Sequence, residues 1–402
     1  MSAGQRTPGL SAAPGPVRRP DRDADAIVIG AGHSGLATAA LLQRAGLRVV
    51  VLEREAIAAK WRSRYERLHL HTHRLFSMLP GLRVARSNGS WISRDGMVDY
   101  LESYARHHDT DVRCGVTVTR IDRDGQDWQV QADSGTSRAP FVVLATGFNN
   151  VGRMPDWPGI DTFTGELAHA TEYRNFEPFV ERDVLVVGIG NTGAEIAQDL
   201  AERGARRVRI AVRTPPHVLP RNIGPLPIQA TTILAHRLPI AVIDPVTSLI
   251  SRLTIGDLSQ HGLPTPSEGV AREHAREVDY VPLLDIGFVH ELKVGRIEVV
   301  AAVERLDGPD VILAGGEAIT PDAVIVATGY HRGLETLIGH LGVLDGRGAP
   351  AITRGGYAHP GAPGLHFVGF TNPTNGAVWE HAFEARRAAR VIARARRAGL
   401  NA

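Results

Sequence analysis

Cysteine is almost absent from this chain, since Cys114 is the one cysteine among 402 residues. No disulfide can close within the chain, which excludes a mechanism that passes electrons through an intrachain cysteine pair. A chain without disulfides is typical of a reducing compartment, so we expect a cytoplasmic protein. Its length exceeds that of one average domain, and hydrophobic residues, at 43%, are numerous enough for a sizeable core.

Long apolar runs and a strong charge bias are also missing. The formal net charge is only +2, so nothing favours nucleic acid or an anionic membrane as a partner. Residues 1–24 are rich in Pro, Gly, Ala and Arg and lack a signal-peptide core, which predicts a disordered tail. Residues 231–253 look apolar but contain charges and two prolines, so we expect them to cover the protein's own pocket rather than span a membrane.

An apolar strand followed by a glycine-rich turn and a helix occurs twice. AIVIG opens the first copy at residue 26, and VLVVG opens the second at residue 184. A GxGxxG sequence in this context predicts a dinucleotide-binding turn. Its first glycine allows the tight turn, the second lets the backbone approach a pyrophosphate, and the third lets helix and strand pack closely. These glycines are Gly30, Gly32 and Gly35 in the first copy and Gly188, Gly190 and Gly193 in the second.

The two copies differ at the end of the strand that follows each helix. The first copy has Glu53 there, and a carboxylate accepts hydrogen bonds from a ribose 2′-hydroxyl but repels a 2′-phosphate. The second copy has Arg213, and a guanidinium suits a 2′-phosphate. The first site is therefore predicted to bind FAD, and the second to bind NADPH in preference to NADH.

Two further apolar strands, FVVLATGF from Phe141 and AVIVATGY from Ala323, each end in Ala-Thr-Gly. Each would return the chain to a sheet at the close of a nucleotide-binding unit. We therefore predict an α/β protein with two Rossmann-like domains, the NADPH domain inserted in the FAD domain. The predicted FAD domain covers residues 25–164 and 322–402, and the NADPH domain covers residues 165–321.

The segment between the two predicted units, FTGELAHATEY, fits the pattern FxGxxxHxxxY and ends in Tyr173. In this motif and its two fingerprints the chain resembles the class B flavoprotein monooxygenases. Tyr173 followed by Arg174 favours the YUCCA-type and flavin-containing monooxygenase branch over the Baeyer–Villiger fingerprint, which ends in Trp. GIGNTGAEIAQDL, VRTPPHVLPR and GFTNPTNG are also similar to YUCCA-type segments, whereas VWEHAF, after residue 377, stands where small residues are expected.

This resemblance implies an NADPH- and O2-dependent FAD monooxygenase that acts on a small organic substrate through a C(4a)-(hydro)peroxyflavin. One implied reaction is oxidative decarboxylation of an aryl 2-oxo acid such as indole-3-pyruvate. Baeyer–Villiger or N- and S-oxygenation in a secondary-metabolite pathway stays open, as does an NADPH oxidase or reductase without an oxygenated product. The oligomeric state is also open, a homo-oligomer being one outcome.

The resemblance also implies functional residues beyond the glycines and the two strand ends. His169 in the linker motif is either a structural link between the domains or a direct participant in catalysis. We expect the substrate pocket to be lined by residues 61–78, 217–260 and 370–383. The further cofactor-binding residues implied are Arg62, Asn191, Thr192, Ala327, Thr328, Gly329 and Asn372.

The stretch LHLHTHRLF places His69, His71 and His73 at alternate positions, which on a strand share one face. Three imidazoles on one face could bind zinc or iron, but no acid or cysteine cluster accompanies them, so we predict no metal site. On the YUCCA-type resemblance only His71 matches a family histidine. His71 is therefore the predicted catalytic residue of this stretch, a hydrogen-bonding group near the flavin.

Overall fold

The regular structure of the chain is built from short strands and ten helices in the part that the structure describes. The computed structural model describes residues 22–235, 238–277, 280–352 and 355–399. The helices are α1 His33–Arg44, α2 Ala59–Arg62, α3 Arg94–His107, α4 Asn191–Glu202, α5 Ile228–Ala235, α6 Ile240–Thr254, α7 Val270–Arg276, α8 Phe288–Lys293, α9 Glu335–Ile338 and α10 Ala377–Arg397. The strands are β1 Ala26–Ile29, β2 Val49–Glu53, β3 His69–His73, β4 Trp91–Ser93, β5 Asp111–Cys114, β6 Val118–Asp124, β7 Asp127–Ala132, β8 Gly135–Ala139, β9 Phe141–Leu144, β10 Val151–Gly152, β11 Glu166–His169, β12 Asp183–Val187, β13 Arg207–Val212, β14 Val218–Pro220, β15 Asn222–Ile223, β16 Leu226–Pro227, β17 Leu283–Asp285, β18 Ile297–Ala301, β19 Val303–Asp307, β20 Asp310–Leu313, β21 Ala318–Ile319, β22 Ala323–Val326, β23 Tyr330–His331 and β24 Leu365–Phe367.

The tail predicted for residues 1–24 is described only at its end, because residues 1–21 lie outside the described residues. Arg22 forms an ion pair with Asp127, and the backbone N–H of Asp23 donates to the carbonyl oxygen of Arg138 at 3.1 Å. Ala24 is fully buried. Residues 22–24 therefore pack on the fold, and the predicted tail extended too far along the chain.

The first unit contains a five-stranded sheet in the order β24-β9-β1-β2-β5, and every neighbouring pair in it is parallel. β1 and β9 are buried along their whole length, as expected for continuously apolar strands covered on both faces. Helices α1 and α10 contribute alanine and leucine side chains to the core on one face. β5 is the edge strand, and its last residue, Cys114, is exposed and pairs with Glu53 of β2.

The second unit contains a five-stranded parallel sheet in the order β11-β22-β12-β13-β18. β12 and β22 are entirely buried, and α4 follows β12 across the second glycine turn. The chain completes the second sheet and then returns to the first through β24 and α10. The prediction of two Rossmann-like units, the second inserted in the first, is confirmed.

The predicted domain boundary at residues 321 and 322 is wrong by one strand. β22, which precedes the second Ala-Thr-Gly, lies between β11 and β12 and so belongs to the second sheet. β9, which precedes the first Ala-Thr-Gly, lies beside β1 in the same way. Each of these strands closes the sheet of its own unit, because the alanine after it must pack on that unit's glycine turn.

The apolar-looking residues 231–253 fall mainly on α5 and α6; His236 and Arg237 lie outside the described residues. Several side chains on these helices are exposed, Leu249 at 57% and Leu253 at 75% among them. Within the described ranges, no helix combines the length and the apolarity that crossing a membrane would require.

Candidate active site

A cavity of about 1140 Å³ is lined by residues of both units. The first unit contributes Gly30 and Gly32 of its glycine turn, and the second contributes Asn191 and Thr192 at the start of α4. Helices α5 and α6 line the same cavity, as expected for residues 231–253. A cavity bounded by both nucleotide-binding units allows two cofactors to meet inside it.

The first glycine turn is tightly packed on its protein side. Gly30 has a φ of +105°, and a Cβ there would lie 2.6 Å from the carbonyl oxygen of Ala145. A Cβ on Gly35 would lie 1.9 Å from the carbonyl oxygen of Gly30. At Gly32, by contrast, a Cβ would meet nothing within 4 Å, and this residue lines the cavity. The turn therefore leaves open space where a pyrophosphate would approach, so it fits FAD.

The second glycine turn repeats these distances. Gly188 has a φ of +105°, with a Cβ position 2.6 Å from the carbonyl oxygen of Ala327. A Cβ on Gly193 would lie 1.9 Å from the carbonyl oxygen of Gly188, and one on Gly190 would meet nothing within 4 Å. The second turn therefore fits a pyrophosphate as well. Ala327, which we predicted to bind cofactor, packs against this turn.

Glu53 and Arg213 lie where the sequence predicted, at the ends of β2 and β13. Glu53 lines the cavity, and its Oε2 accepts a hydrogen bond from the backbone N–H of Ala31 at 2.7 Å. Arg213 is exposed and has no ion-pair partner among the described residues. It does not line the cavity. Binding of a 2′-phosphate by Arg213 therefore stays a prediction.

Thr328 and Gly329, also predicted to bind cofactor, do not line the cavity. Thr328 Oγ1 donates to the carbonyl oxygen of Arg153 at 2.5 Å, and the carbonyl oxygen of Gly329 accepts from the Arg153 backbone N–H at 3.0 Å. The first Ala-Thr-Gly, residues 145–147, does line the cavity. The sequence repeat was therefore informative, but the copy that faces the cavity is the first one.

His169 is buried within the linker motif. Its Nδ1 lies 3.0 Å from Thr171 Oγ1, its Nε2 lies 3.2 Å from the carbonyl oxygen of Gly329, and its ring contacts Tyr330 edge-on at 5.4 Å. Burial lowers the pKa of His169 below its usual value. Because both ring nitrogens have local partners and His169 does not line the cavity, the geometry favours the structural alternative over a catalytic one.

The three alternate histidines of β3 have three different environments. His69 is exposed, and its Nδ1 lies 2.9 Å from the carbonyl oxygen of Arg67. His69 and His71 both line the cavity, whereas the His73 ring contacts Trp91 edge-on at 5.6 Å. The register of β3 against β4 is irregular, so strict alternation does not hold along it. Among the described residues, no three His, Cys, Asp or Glu side chains come together as a metal site would need.

Glu195 is a cavity residue that we did not predict. It lies on α4 and is buried, and its Oε1 lies 2.6 Å from Nε2 of His71. Burial, with the charge of Glu195 and a hydrogen bond to it, raises the pKa of the Tyr65 hydroxyl well above its usual value. The available signal was the acid that follows the second fingerprint in GIGNTGAE.

Arg62, predicted to bind cofactor, is exposed and forms an ion pair with Glu102 outside the cavity lining. Arg64 lines the cavity instead. Its guanidinium carbon lies 4.7 Å from the centre of the Tyr330 ring, and it donates to the Tyr330 hydroxyl. α2 ends at Arg62, and the change of direction beyond it turns Arg64 toward the cavity.

Lys60 is a second cation on the same side of the cavity. Its Nζ donates to the carbonyl oxygen of Asn150 at 2.7 Å. Burial lowers the pKa of Lys60 from its usual value, with help from the charges of Arg54 and Arg64. Lys60 and Arg64 therefore place two basic side chains on this part of the cavity wall.

Asn191 fixes the start of α4 to β17. Its Oδ1 accepts from the backbone N–H of Leu284 at 2.8 Å, and its Nδ2 donates to the carbonyl oxygen of Pro282 at 3.2 Å. Thr192 and Asn372 both line the cavity. Cofactor binding by Asn191, Thr192 and Asn372 stays a prediction.

All three segments expected to line the pocket, 61–78, 217–260 and 370–383, contribute to the cavity. Segments that the sequence did not single out also line it, among them residues 116–119, 270–275 and 281–284. They carry no motif, and they reach the cavity through the packing of the loop after β5, of α7 and of the start of β17.

The wall also contains a histidine pair from distant parts of the chain. His33 follows Gly32, and His381 belongs to the VWEHAF segment of α10. Their rings stack at 5.1 Å, and His33 Nε2 lies 2.8 Å from His381 Nδ1. Burial, followed by the nearby His381, lowers the pKa of His33 to about 3. His33 is therefore neutral and adds no charge beside the first glycine turn.

Comparison with known proteins agrees with this geometry. Residues 27–220 match the family described as "Pyridine nucleotide-disulphide oxidoreductase". The indole-3-pyruvate monooxygenase YUCCA1 of Oryza sativa subsp. japonica is 36% identical over 352 residues, which cover 86% of each chain. The probable indole-3-pyruvate monooxygenase YUCCA8 of Arabidopsis thaliana is 32% identical over 358 residues, 86% of this chain and 84% of the relative.

Solved structures share the fold at lower identity. A flavin-containing monooxygenase from Stenotrophomonas maltophilia superposes with a TM-score of 0.71 at 23% identity, covering 92% of this chain and 98% of the other. The OTEMO complex with FAD and NADP superposes with a TM-score of 0.67 at 19% identity, covering 94% and 86%.

The fold and the cavity define a flavoprotein with two dinucleotide-binding units, and its cofactors are FAD and NADPH. The extended similarity to curated relatives then gives the family. The chain belongs to the YUCCA-type family of flavin monooxygenases, and it is an NADPH-dependent flavin monooxygenase. Its reaction uses a small organic substrate and O2.

Proposed function

We propose that this enzyme decarboxylates an aryl 2-oxo acid oxidatively, with indole-3-pyruvate as the representative substrate. In that reaction a 2-oxo acid, O2, NADPH and a proton give the carboxylic acid shortened by one carbon, CO2, water and NADP+. The printed names of the curated relatives support this substrate class. The observation that carries the proposal is a cavity with aliphatic side chains of α6 on one wall and the basic side chains of Lys60 and Arg64 on another.

Each wall suits one end of the proposed substrate. Ile240, Ile243 and Ile250 line the cavity from α6 and would pack against an aryl ring. Arg64 has no carboxylate partner among the described residues, and a partly buried guanidinium of this kind favours an anion. We assign the substrate carboxylate to Arg64.

The residues of the chain hold the cofactors and exclude water. The open face at Gly32 and the carboxylate of Glu53 would receive the pyrophosphate and a ribose hydroxyl of FAD, and Gly190 and Arg213 would receive the phosphates of NADPH. The bound flavin supplies the chemistry that activates O2 and transfers one oxygen atom. Helices α5 and α6 line the cavity and would limit the access of water to the reacting groups.

The substrate assignment is tested with purified holoenzyme and matched arginine variants. Indole-3-pyruvate, a neutral aryl ketone and an aryl sulfide are compared through NADPH consumption and analysis of the product. We expect coupled NADPH consumption and a one-carbon-shorter acid only with the 2-oxo acid. Coupled oxidation of the ketone or sulfide instead would establish Baeyer–Villiger or S-oxygenation, and hydrogen peroxide alone would establish an oxidase.

Substitution at Arg64 tests the contact itself. A hydrogen bond between charged groups is worth about 1.5–3 kcal/mol, so Arg64→Gln should raise KM for indole-3-pyruvate by about 10- to 150-fold. Arg62→Gln is the matched control, because Arg62 lies two residues away on the protein surface. Both variants should keep their flavin. Equal KM changes in the two variants would refute the role of Arg64.

We also propose a cytoplasmic location, supported by a chain with a single cysteine.

A further inference from the structure

One face of α4 is lined with acids. Glu195, Asp199 and Glu202 are spaced four and three residues apart, which places them on the same side of the helix. Glu195 and Asp199 are buried, each with a side chain only 4% exposed. Buried carboxylates at helical spacing need partners, because an unpaired buried charge is costly.

Besides Gln198 and Arg203 at the same helix, this acidic face has partners in the other unit. His71 lies 2.6 Å from Glu195, and Arg67 lies 3.4 Å from Asp199 and 2.5 Å from Glu202. Both belong to residues 65–73, which lead into and form β3 of the first unit. The linker adds Tyr173, whose hydroxyl donates to Asp199 at 2.7 Å. The helix that opens the NADPH unit is therefore attached along its length to the FAD unit.

The end of the acidic face that is nearest the cavity differs from the rest of the face. Glu195 and His71 both line the cavity, whereas Asp199 and Glu202 do not. His71 Nδ1 and Glu195 Oε2 are buried without hydrogen-bond partners among the described residues. The His71–Glu195 contact is therefore the one place where the acidic face meets the space shared by the two cofactors.

We propose that Glu195 is a positioning residue: by holding His71, it fixes the second nucleotide unit against the first at the distance that hydride transfer requires. Hydride transfer from NADPH to flavin depends on the separation of two groups held by different units, and a misplacement of about 1 Å can cost about 100-fold in rate. Glu202 pairs with Arg67 farther from the cavity, where a partly exposed ion pair adds little to the placement of the two units. The proposal does not depend on which substrate is oxidised.

The test compares variants on the same helix face in flavin-loaded protein. Glu195→Ala should slow anaerobic reduction of the flavin by NADPH about 10- to 100-fold. Glu195→Gln, which keeps an acceptor oxygen in place, should restore the rate to within about threefold of the unsubstituted protein. Glu202→Ala removes an acid seven positions away on a partly exposed pair, and its reduction rate should be unchanged.

A binding readout separates positioning from loss of structure. NADP+ added to the oxidised holoenzyme should perturb the visible absorption of the flavin, and Glu195→Ala should weaken that perturbation while Glu202→Ala retains it. Where Glu195→Ala loses flavin, His71→Ala and His71→Gln test the same contact from its more exposed side, with the same expected loss and rescue. Reduction rates and perturbation spectra that match those of Glu202→Ala would overturn the proposal.

Discussion

At the level of a single residue, Arg213 is the side chain that we expect to distinguish NADPH from NADH. It is exposed at the end of β13, so its removal should leave the core intact. A charged hydrogen bond to a 2′-phosphate is worth about 1.5–3 kcal/mol, so Arg213→Ala should raise KM for NADPH by about 10- to 150-fold. KM for NADH, measured in the same assay, should hardly change. A similar rise for both nucleotides would show that Arg213 does not read the phosphate.

His71 illustrates what the sequence could and could not predict about a residue. The resemblance selected it from three histidines, and the structure places it on the cavity wall. Its pairing with Glu195 could not be predicted, because the two residues are 124 positions apart and meet only when the two units pack together. Arg62 lies outside the cavity lining for a related reason, since the direction of the chain beyond α2 decides which arginine faces inward.

At the level of the element, β24 contains a histidine in the core of the first sheet. His366 is fully buried, and its Nδ1 donates to the carbonyl oxygen of Gly356 at 3.1 Å. Burial lowers the pKa of His366 from 6.5 to about 4. The unfolded chain therefore takes up a proton on His366 at a higher pH than the folded protein does. As a result, the contribution of His366 to the free energy of unfolding is fully present above pH 6.5 and is lost as the pH falls toward 4.

The resulting loss of stability can be measured by denaturant unfolding across that range. His366 alone should remove about 3 kcal/mol of unfolding free energy between its unfolded and folded pKa. His366→Gln, which keeps a donor but does not titrate there, should show a shallower decline. His290→Gln is the control, because His290 is exposed on α8 and folding changes its solvation little. Parallel declines for all three proteins would contradict the assignment.

The role of helices α5 and α6 as a lining of the cavity could be predicted from the sequence. Charges and prolines within an apolar stretch indicated a cover over the pocket, and both helices line the cavity. The contribution of α7 was not predictable, since its short sequence VAREHAR has no distinctive periodicity.

At the level of the whole molecule, matched substitutions in the two glycine turns should abolish the binding of one cofactor at a time. A Cβ at Gly32 or Gly190 meets nothing within 4 Å, so a leucine at either position enters cofactor space without a clash within the protein. We expect Gly32→Leu to yield colourless protein. Gly190→Leu should remain yellow but should not be reduced by NADPH. Absorption spectra before and after anaerobic addition of NADPH distinguish these outcomes, and full flavin occupancy in Gly32→Leu would contradict the assignment of the first site.

The plan of the whole chain was largely predictable because each unit repeats the same local order of strand, turn and helix. Apolar strands and glycine spacing identified both units and the insertion of one in the other. The sequence misplaced β22, because two Ala-Thr-Gly strands look alike in sequence and only their pairing shows which sheet each completes.

The position of Cys114 has a practical consequence for experiments. It is the chain's single thiol, it is exposed, and it lies opposite Glu53 at the edge of the first sheet. A thiol-reactive fluorophore will therefore attach at one known point without any engineering of the sequence. Because that point is beside the proposed adenosine end of the FAD site, quenching of the dye would report flavin uptake and release in real time.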